Sequence, residues 1–321
     1  MNTIVRNVEN TDNKEAIREA AKLLREGQVV AFPTETVYGL GGSGWMEDAA
    51  DKIYEAKGRP SDNPLILHIG SMDMIQEIAS YIPKLAKKAM EAFWPGPLTV
   101  ILPKSDNVPN RVTGGLNSVA VRMPSHPVAL ALLKEAGIPV AAPSANTSGR
   151  PSPTEAEHVV EDLDGKIPMV LDGGKVEVGV ESTIVDFTGD VPVILRPGKI
   201  TKDELEQVLS TEVLMGTFAV KEDAVPKAPG MKYKHYAPKA QLILVLGTDR
   251  EKVTEEITKR VHDCRSKGMR TGVIATEETK DAYDADEVIP VGSRKHMETV
   301  TANLYHVLRE FDHRDVDMIF S

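Results

Sequence analysis

The segments FPTETVYGLG, residues 32–41, and KGRPSDNPLILHI, residues 57–69, are the stretch against which the rest of the chain is interpreted. The apolar run that ends at Phe32 is typical of a buried strand, and Pro33 cannot continue it in a central ladder position. The loop that follows carries hydroxyl and carboxyl groups, including Thr36, and then glycines that let backbone approach a ligand closely. This pattern predicts a binding edge at the end of the strand.

The second segment begins where a predicted helix ends, at Gly58. Lys57 and Arg59 flank that end, and basic residues there complement the helix dipole without any ligand. An irregular loop with Asn63 follows, and His68 interrupts the next apolar run. A lone strand histidine is more often structural than functional. Two cations and several hydrogen-bonding groups in one short segment nevertheless suit an anion better than a metal.

Two further arginines stand at predicted strand ends, Arg122 in the segment 117–127 and Arg196 in the segment 193–201. A buried or half-buried guanidinium needs an anionic or multi-acceptor partner. For Arg122 an internal salt bridge with an acid is the alternative, and we favour a ligand. Because Arg59, Arg122 and Arg196 occupy comparable positions, they suggest one shared anion.

The segment PVAAPSANTSGRPSPT, residues 139–154, reads as a short strand followed by a loop rich in small polar residues. A simple polar turn is one interpretation of this loop. The other is that its side chains offer donors to a phosphate or carboxylate. The side chains concerned are Ser144, Asn146, Thr147, Ser148 and Arg150. By contrast, we attribute Thr99, the one polar group in the apolar run 98–102, to packing.

Length and composition limit the class of protein. The chain has 321 residues, which favours two domains over one, with 41% hydrophobic and 27% charged residues. We find no run of membrane-span length and no secretory leader, so we expect a cytoplasmic protein. Cys264 is the single cysteine, which excludes an internal disulfide framework and a multi-cysteine metal site. The formal charge of −10 argues against a dedicated nucleic-acid coat, although a few cations suffice for one phosphate chain.

The pattern of elements changes along the chain. Residues 1–200 mix short strands and helices without regular alternation, which predicts a twisted mixed-sheet α/β domain. Residues 201–240 read as a linker, whose residues Lys232, Lys234, His235 and Tyr236 suggest a functional lid; a passive basic spacer is the alternative. Residues 241–321 alternate strand and helix regularly, which predicts a small Rossmann-like parallel α/β domain. That domain has neither a dinucleotide fingerprint nor a P-loop, so we assign it no chemistry.

Eight segments together resemble the threonylcarbamoyl-AMP synthase family in its two-domain form, whose first domain has the YrdC-like fold. They cover essentially the whole chain in order: PTETVYGLG, KGRPSDNPLILHI, WPGPLTVIL, SVAVRMPSHP, APSANTSGRPSPT, GVESTIVD, ILRPG and KHYAP. The family continues through a further turn and helix where this chain stops, so we expect the small domain to be truncated.

The resemblance implies an enzyme that makes L-threonylcarbamoyl-AMP from L-threonine, bicarbonate or carbon dioxide and ATP, releasing pyrophosphate, for threonylcarbamoyladenosine in tRNA. Carried over by motif, its catalytic site falls on Lys57 and Arg59. Its L-threonine site falls on Thr36, His68, Arg122 and Ser182. Its nucleotide site falls on Arg59, Asn63, Ser118, Ala142, Ser144, Asn146, Arg196 and Tyr236.

In this interpretation Arg122 pairs with the threonine carboxylate, while Lys57, Arg59 and Arg196 hold phosphates. Mg²⁺ is expected with ATP and without a dedicated protein cage. The product passes to a separate tRNA-modifying transferase, and direct tRNA contact by this chain is left open. Two other functions are less consistent with the sequence. A carbamoyl transferase of the hydrogenase-maturation type would carry cysteine-rich zinc modules, which one cysteine cannot supply. An RNA-binding module conflicts with the acidic balance.

Overall fold

A computed structural model describes residues 2–8, 11–216, 226–232 and 236–321 of the chain. The chain divides into two compact units, one formed by residues 1–148 and 152–234, the other by residues 149–151 and 235–321. The predicted domain boundaries at residues 200 and 240 stay predictions. Lys234 and His235, expected in the lid, lie outside the described residues.

The first unit is built on one large mixed sheet. Its strands are β1 (Ile4–Asn7), β2 (Val30–Phe32), β3 (Gly39–Ser43), β4 (Ile66–His68), β5 (Leu98–Pro103), β6 (Ser118–Arg122), β7 (Val140–Ala141), β8 (Met169–Asp172), β9 (Thr183–Asp186), β10 (Val193–Arg196) and β11 (Leu214–Met215). They lie in the order β1-β8-β2-β3-β7-β4-β6-β5-β9-β10-β11. Strand β6 pairs parallel with β4 and antiparallel with β5. The predicted mixed sheet is confirmed.

Helices cover this sheet: α1 (Lys14–Arg25), α2 (Glu47–Lys57), α3 (Ile75–Ile78), α4 (Lys84–Phe93), α5 (Asn110–Thr113), α6 (Pro127–Ala136), α7 (Ala156–Leu163) and α8 (Lys202–Leu209). Helix α2 ends where Gly58 takes a left-handed conformation with φ of 61°, which a residue without Cβ adopts freely. Leu24 of α1, Leu133 of α6 and Phe32 of β2 are buried in one hydrophobic cluster. The turn at Gly58 sends the chain from α2 into the loop that leads to β4.

Sheet register aligns three polar side chains in the middle of this unit. His68 of β4 is the register partner of Arg122 of β6, and Arg122 is in turn the partner of Thr99 in β5. Directly opposed residues point to the same face of a sheet. The intervening residues, such as Leu67 and Val121, belong to the main buried cluster on the opposite face. A polar row therefore crosses the middle of the sheet, with apolar residues on the opposite face.

The second unit is a small parallel sheet with two helices. Its elements are β12 (Gln241–Ile243), α9 (Arg250–Arg265), β13 (Thr271–Ala275), β14 (Glu287–Pro290), α10 (Met297–Asp312) and β15 (Met318–Phe320). The order is β12-β15-β13-β14, with every pairing parallel. Ile257, Val261, Val273 and Phe320 are buried together in its core. The Rossmann-like arrangement expected here is confirmed. Among the described residues, none of the helices has the length and apolar character needed to cross a membrane.

Candidate active site

A buried ion pair lies at the centre of the polar row. The Arg122 Nη2 atom is 2.7 Å from Glu35 Oε1, with both side chains 5% exposed. Arg122 Nη1 also donates to Thr36 Oγ1 at 2.9 Å, and Glu35 Oε2 accepts from the Ser125 amide at 3.2 Å. Burial by itself would raise the pKa of Glu35, but Arg122 and these hydrogen bonds hold it below its usual value. The internal salt bridge that was the alternative for Arg122 is therefore present, and its acid is Glu35.

His68 lies beside this pair and is uncharged. Burial first, and the positive charge of Arg122 second, lower the pKa of His68 to about 3. Its Nδ1 atom is 3.1 Å from the Ile66 carbonyl oxygen, and its ring meets the Phe32 ring edge-on. A neutral imidazole carries one donor and one acceptor nitrogen. His68 can therefore form a hydrogen bond with a hydroxyl or ammonium group without adding charge to the site.

Ser182 joins the polar row to Arg196. Its hydroxyl is 2.7 Å from Thr99 Oγ1, and both residues are buried. Arg196 donates from Nη2 to Ser182 Oγ and from Nε to the Ser182 carbonyl, each at 3.1 Å. Attributing Thr99 to packing alone is therefore wrong. The one available signal was its place as the single hydroxyl in an apolar strand.

The loop after α2 supplies a half-buried cation and a buried amide. Arg59 Nη2 donates to the Pro64 carbonyl at 3.1 Å. Asn63 is 2% exposed, and within the described part of the chain its Oδ1 atom has no hydrogen-bond partner. Buried amide oxygens are almost always hydrogen-bonded in folded proteins. The side chain of Asn63 is thus positioned to interact with a ligand that donates a hydrogen bond.

Lys57 is buried and directed at protein carbonyl groups. Its Nζ atom is 2.5 Å from the carbonyl oxygens of both Ser144 and Asn146 and 3.5 Å from Asn146 Oδ1. Lys57 was expected to hold phosphate, and the structure shows its ammonium binding the loop that carries Ser144. Across the described residues, no hydrogen bond uses the hydroxyl or the N–H of Ser144. These two groups remain available to a ligand.

The remaining predicted residues occupy different settings. Ser118 begins β6, and the amide of Ala142, just after β7, donates to the Ile66 carbonyl at 2.9 Å. Any backbone contact of Ala142 with a ligand must therefore use its carbonyl oxygen. Tyr236 belongs to the second unit, where its ring stacks on Tyr305 at 5.1 Å. Its predicted part in the nucleotide site stays a prediction.

A short segment of the linker packs on the face that carries the polar row. Ala228 is fully buried and Met231 partly buried in one cluster with Ile66, Ile101, Ala120, Ile184 and Leu195. Ile66 and Ala120 lie two residues before His68 and Arg122 and therefore share their face. Two ion pairs flank the segment, Lys227 to Asp186 at 3.1 Å and Lys232 to Asp62 at 2.9 Å.

Within the first unit this geometry brings together Arg122, Arg196, a neutral histidine and several hydroxyl groups, and Arg59 lies on the loop after α2. Hydrogen bonds run continuously from Thr36 to Arg122, and Ser182 connects Thr99 with Arg196. Guanidinium groups can bind a carboxylate as well as a phosphate chain. The arrangement suits a site that binds two anionic groups next to each other.

Comparison with known proteins gives a consistent result. A family model described as "Telomere recombination" matches residues 22–198, and one described as "Threonylcarbamoyl-AMP synthase, C-terminal domain" matches residues 200–321. The chain is 50% identical to a threonylcarbamoyl-AMP synthase of Bacillus subtilis, over 98% of this chain and 89% of the relative. It is 47% identical to the enzyme of that name from Pyrococcus abyssi, over 99% and 92%.

A solved structure is similar over nearly the whole chain. The crystal structure of P. abyssi Sua5 complexed with L-threonine superposes with a TM-score of 0.94 at 47% identity. The superposition covers 99% of this chain and 92% of that one. The similarity therefore extends over both units of the chain.

Proposed function

This chain belongs to the threonylcarbamoyl-AMP synthase family, and on that basis we propose that it forms L-threonylcarbamoyl-AMP from L-threonine, bicarbonate or carbon dioxide and ATP, with release of pyrophosphate. The observation that carries the proposal is the polar row on the sheet. Arg122 is the register partner of His68 and of Thr99, which bonds to Ser182, and Arg122 donates to Thr36 in the loop of residues 33–41. The structure of a relative in complex with L-threonine supports the choice of amino acid.

Each group in the row suits one part of threonine. The guanidinium of Arg122 offers a bidentate fork to the carboxylate. Thr36, neutral His68 and Ser182 can read the amine and the hydroxyl. Because Arg122 is already compensated by Glu35, a zwitterion of zero net charge enters without leaving an unpaired charge buried.

ATP is assigned to the neighbouring loops. Arg59 and Arg196 would hold its phosphates, and Asn63 and Ser144 have polar atoms that are free to contact it. The full proposed set is Arg59, Asn63, Ser118, Ala142, Ser144, Asn146, Arg196 and Tyr236.

The proposed chemistry has two steps. The ammonium of threonine first loses a proton. The neutral amine then adds to the carbon of carbon dioxide with loss of a second proton, or to that of bicarbonate with loss of water, and a carbamate forms. A carbamate oxygen then attacks the α-phosphorus of ATP, and the bond to the bridging oxygen breaks so that pyrophosphate leaves. Threonine carboxylate, carbamate and triphosphate repel one another, so the three arginines lower the barrier by balancing their charge.

Mg²⁺ is proposed to accompany ATP. The acids Glu35 and Asp62 form ion pairs with Arg122 and Lys232. The site therefore fits an ion that would be held mainly by phosphate oxygens and water. When bound, the ion would neutralise part of the triphosphate charge.

We also propose that the linker closes over the intermediate, since a carbamate and a mixed anhydride both react with water. The packing of residues 226–232 on the face of the polar row supports this role. Full activity of a chain truncated after Gly198 would exclude it. The product would pass, in the cytoplasm, to a separate transferase that modifies tRNA.

Pyrophosphate release tests the proposal. The assay contains ATP, Mg²⁺ and bicarbonate, with L-threonine, with L-serine or with no amino acid. We expect release that depends on threonine, and loss of at least about 100-fold in kcat/KM for threonine in Arg122→Ala, because a buried charge-assisted contact is removed. Arg6→Ala, which removes an exposed ion pair with Glu19, is the control and should keep full activity. Pyrophosphate release at the same rate with and without threonine would refute the proposal.

A further inference from the structure

The loop of residues 144–148 is held from two sides by buried side chains that lie outside it. It belongs to no helix or strand, and ordering such backbone has an entropic cost that other contacts must offset. Two of its backbone amides donate to neighbouring segments: Ala145 donates to the Tyr38 carbonyl and Ser148 to the Lys57 carbonyl, both at 2.8 Å. Two ionisable side chains also contact the loop, one on α2 and one on α7.

Lys57, the last residue of α2, binds one side of the loop. Its ammonium has three N–H groups, and the loop offers three acceptors, the carbonyl oxygens of Ser144 and Asn146 and the amide oxygen of Asn146. Two carbonyl groups two residues apart therefore converge on one cation. Since Lys57 is 2% exposed, replacing its ammonium would remove a buried donor that both carbonyls share.

Asp162 of α7 binds the other side. Its carboxylate accepts the Thr147 N–H at 3.0 Å, and the Thr147 hydroxyl lies 3.3 Å from the Asp162 carbonyl oxygen. Asp162 is 5% exposed, and a buried carboxylate is tolerated only where hydrogen bonds compensate it. None of the sequence motifs includes Asp162, and its position on a helix with an apolar face gives no sign of this contact.

We infer that Lys57 and Asp162 are positioning residues that clamp residues 144–148 so that Ser144 and Asn146 meet the nucleotide in one fixed orientation. Lys57 then acts on the nucleotide through the loop instead of by contact with phosphate. Ser144, whose hydroxyl and N–H are unused among the described contacts, is the group the clamp presents. The inference rests on the proposed nucleotide site and adds Asp162 to the residues that make it.

The test compares Asp162→Ala with Asp162→Asn in the full chain. Asparagine keeps an oxygen acceptor for the Thr147 amide and alanine does not. We expect alanine to raise the KM for ATP about tenfold, the effect of losing one buried hydrogen bond to the loop. The KM for threonine should change less than about twofold, since the polar row is untouched, and asparagine should restore the KM for ATP to within about threefold.

Lys57 is tested in the same way, with Lys57→Met raising the KM for ATP and leaving the KM for threonine nearly unchanged. Lys52→Met is its control, because Lys52 lies on the same helix and donates at 2.7 Å to the Gly27 carbonyl. Asp164→Asn is the control for Asp162. Should Asp162→Ala fail to fold, Asp162→Ser, which is shorter than aspartate but polar, replaces it.

The outcomes separate this inference from the proposed function. If the unaltered chain releases no pyrophosphate in response to threonine, the proposed function fails. The clamp is then still tested by comparing the affinity of the unaltered chain and of Asp162→Ala for an ATP analogue. If the unaltered chain is active but Asp162→Ala binds nucleotide normally, the clamp is wrong. Equal losses for ATP and threonine would also overturn it, because they would mean that Asp162 supports the fold as a whole.

Discussion

Because Glu35 and Arg122 form a buried ion pair, we expect the substitution Glu35→Gln to lower the free energy of unfolding strongly. In Glu35→Gln the shape is kept and the Ser125 amide keeps an acceptor, but the negative charge 2.7 Å from Arg122 is lost. Breaking one partner of a buried pair leaves an uncompensated charge, which costs about 3 to 5 kcal/mol. Because the amide oxygen still accepts a hydrogen bond, we expect the lower end, about 3 kcal/mol in the free energy of unfolding of the first unit.

Urea unfolding followed by tryptophan fluorescence measures this change. The two tryptophans of the chain, Trp45 and Trp94, both lie in the first unit, so the signal reports on the affected sheet. The matched control is Asp51→Asn, which breaks the exposed pair with Arg111 and should cost less than about 1 kcal/mol. Threonine should stabilise Glu35→Gln more than the unaltered chain, because its carboxylate replaces the missing charge.

The stability that this ion pair contributes depends on pH. The folded pKa of Glu35 lies below its ordinary value near 4.5, so the unfolded chain takes up a proton first as the pH falls. The stability contributed by the pair is present above about pH 4.5 and is lost as the pH drops through the folded pKa. Glu35→Gln should lack this part of the acid sensitivity. An unfolding free energy within about 0.5 kcal/mol of the unaltered chain would refute the reasoning, since it would mean that the buried charge needs no partner.

Two further predictions concern residues around the site. His68 has a folded pKa of about 3 against an ordinary 6.5, so the free energy of unfolding should fall as the pH drops from about 6.5 toward 3. Urea unfolding at pH 7 and at pH 4.5 should show a smaller fall for His68→Gln than for the unaltered chain. An equal fall would contradict the burial of a neutral ring. In Gly198→Ala the added Cβ would lie 2.4 Å from the Thr183 amide nitrogen, a backbone atom that cannot move aside alone. We therefore expect a loss of about 1 to 3 kcal/mol in the free energy of unfolding and weaker threonine binding through the adjoining Ser182. Unchanged threonine binding in calorimetry would show that the strand relaxes freely.

Several features of the site could be predicted from local sequence because their causes are local. Gly58 ends α2 in the left-handed conformation that a glycine after a helical run predicts, so Arg59 and Asn63 lie in the loop that follows the helix. The change from mixed to regular alternation after residue 240 likewise predicted the small parallel sheet. The assignment of individual residues to threonine and ATP stays a prediction.

Other features could not be predicted because they depend on pairs far apart in the chain. Glu35 and Arg122 are separated by 87 positions, and many acids could have partnered that arginine. Thr99 comes within 2.7 Å of the Ser182 hydroxyl only because β5 pairs with both β6 and β9. No periodicity in the sequence encodes that strand order.

The sequence by itself determined which residue types follow each strand and helix, and therefore that this protein presents cations, hydroxyls and close backbone at the ends of its elements. Hydrophobic periodicity and turn chemistry are local properties, so they can be read in order along the chain. Only the tertiary structure decided which of these groups meet. Long-range pairing turned Arg122 into half of an ion pair and turned Lys57 and Asp162 toward one loop, because buried charges and backbone groups take whichever partners the packed sheet places within reach.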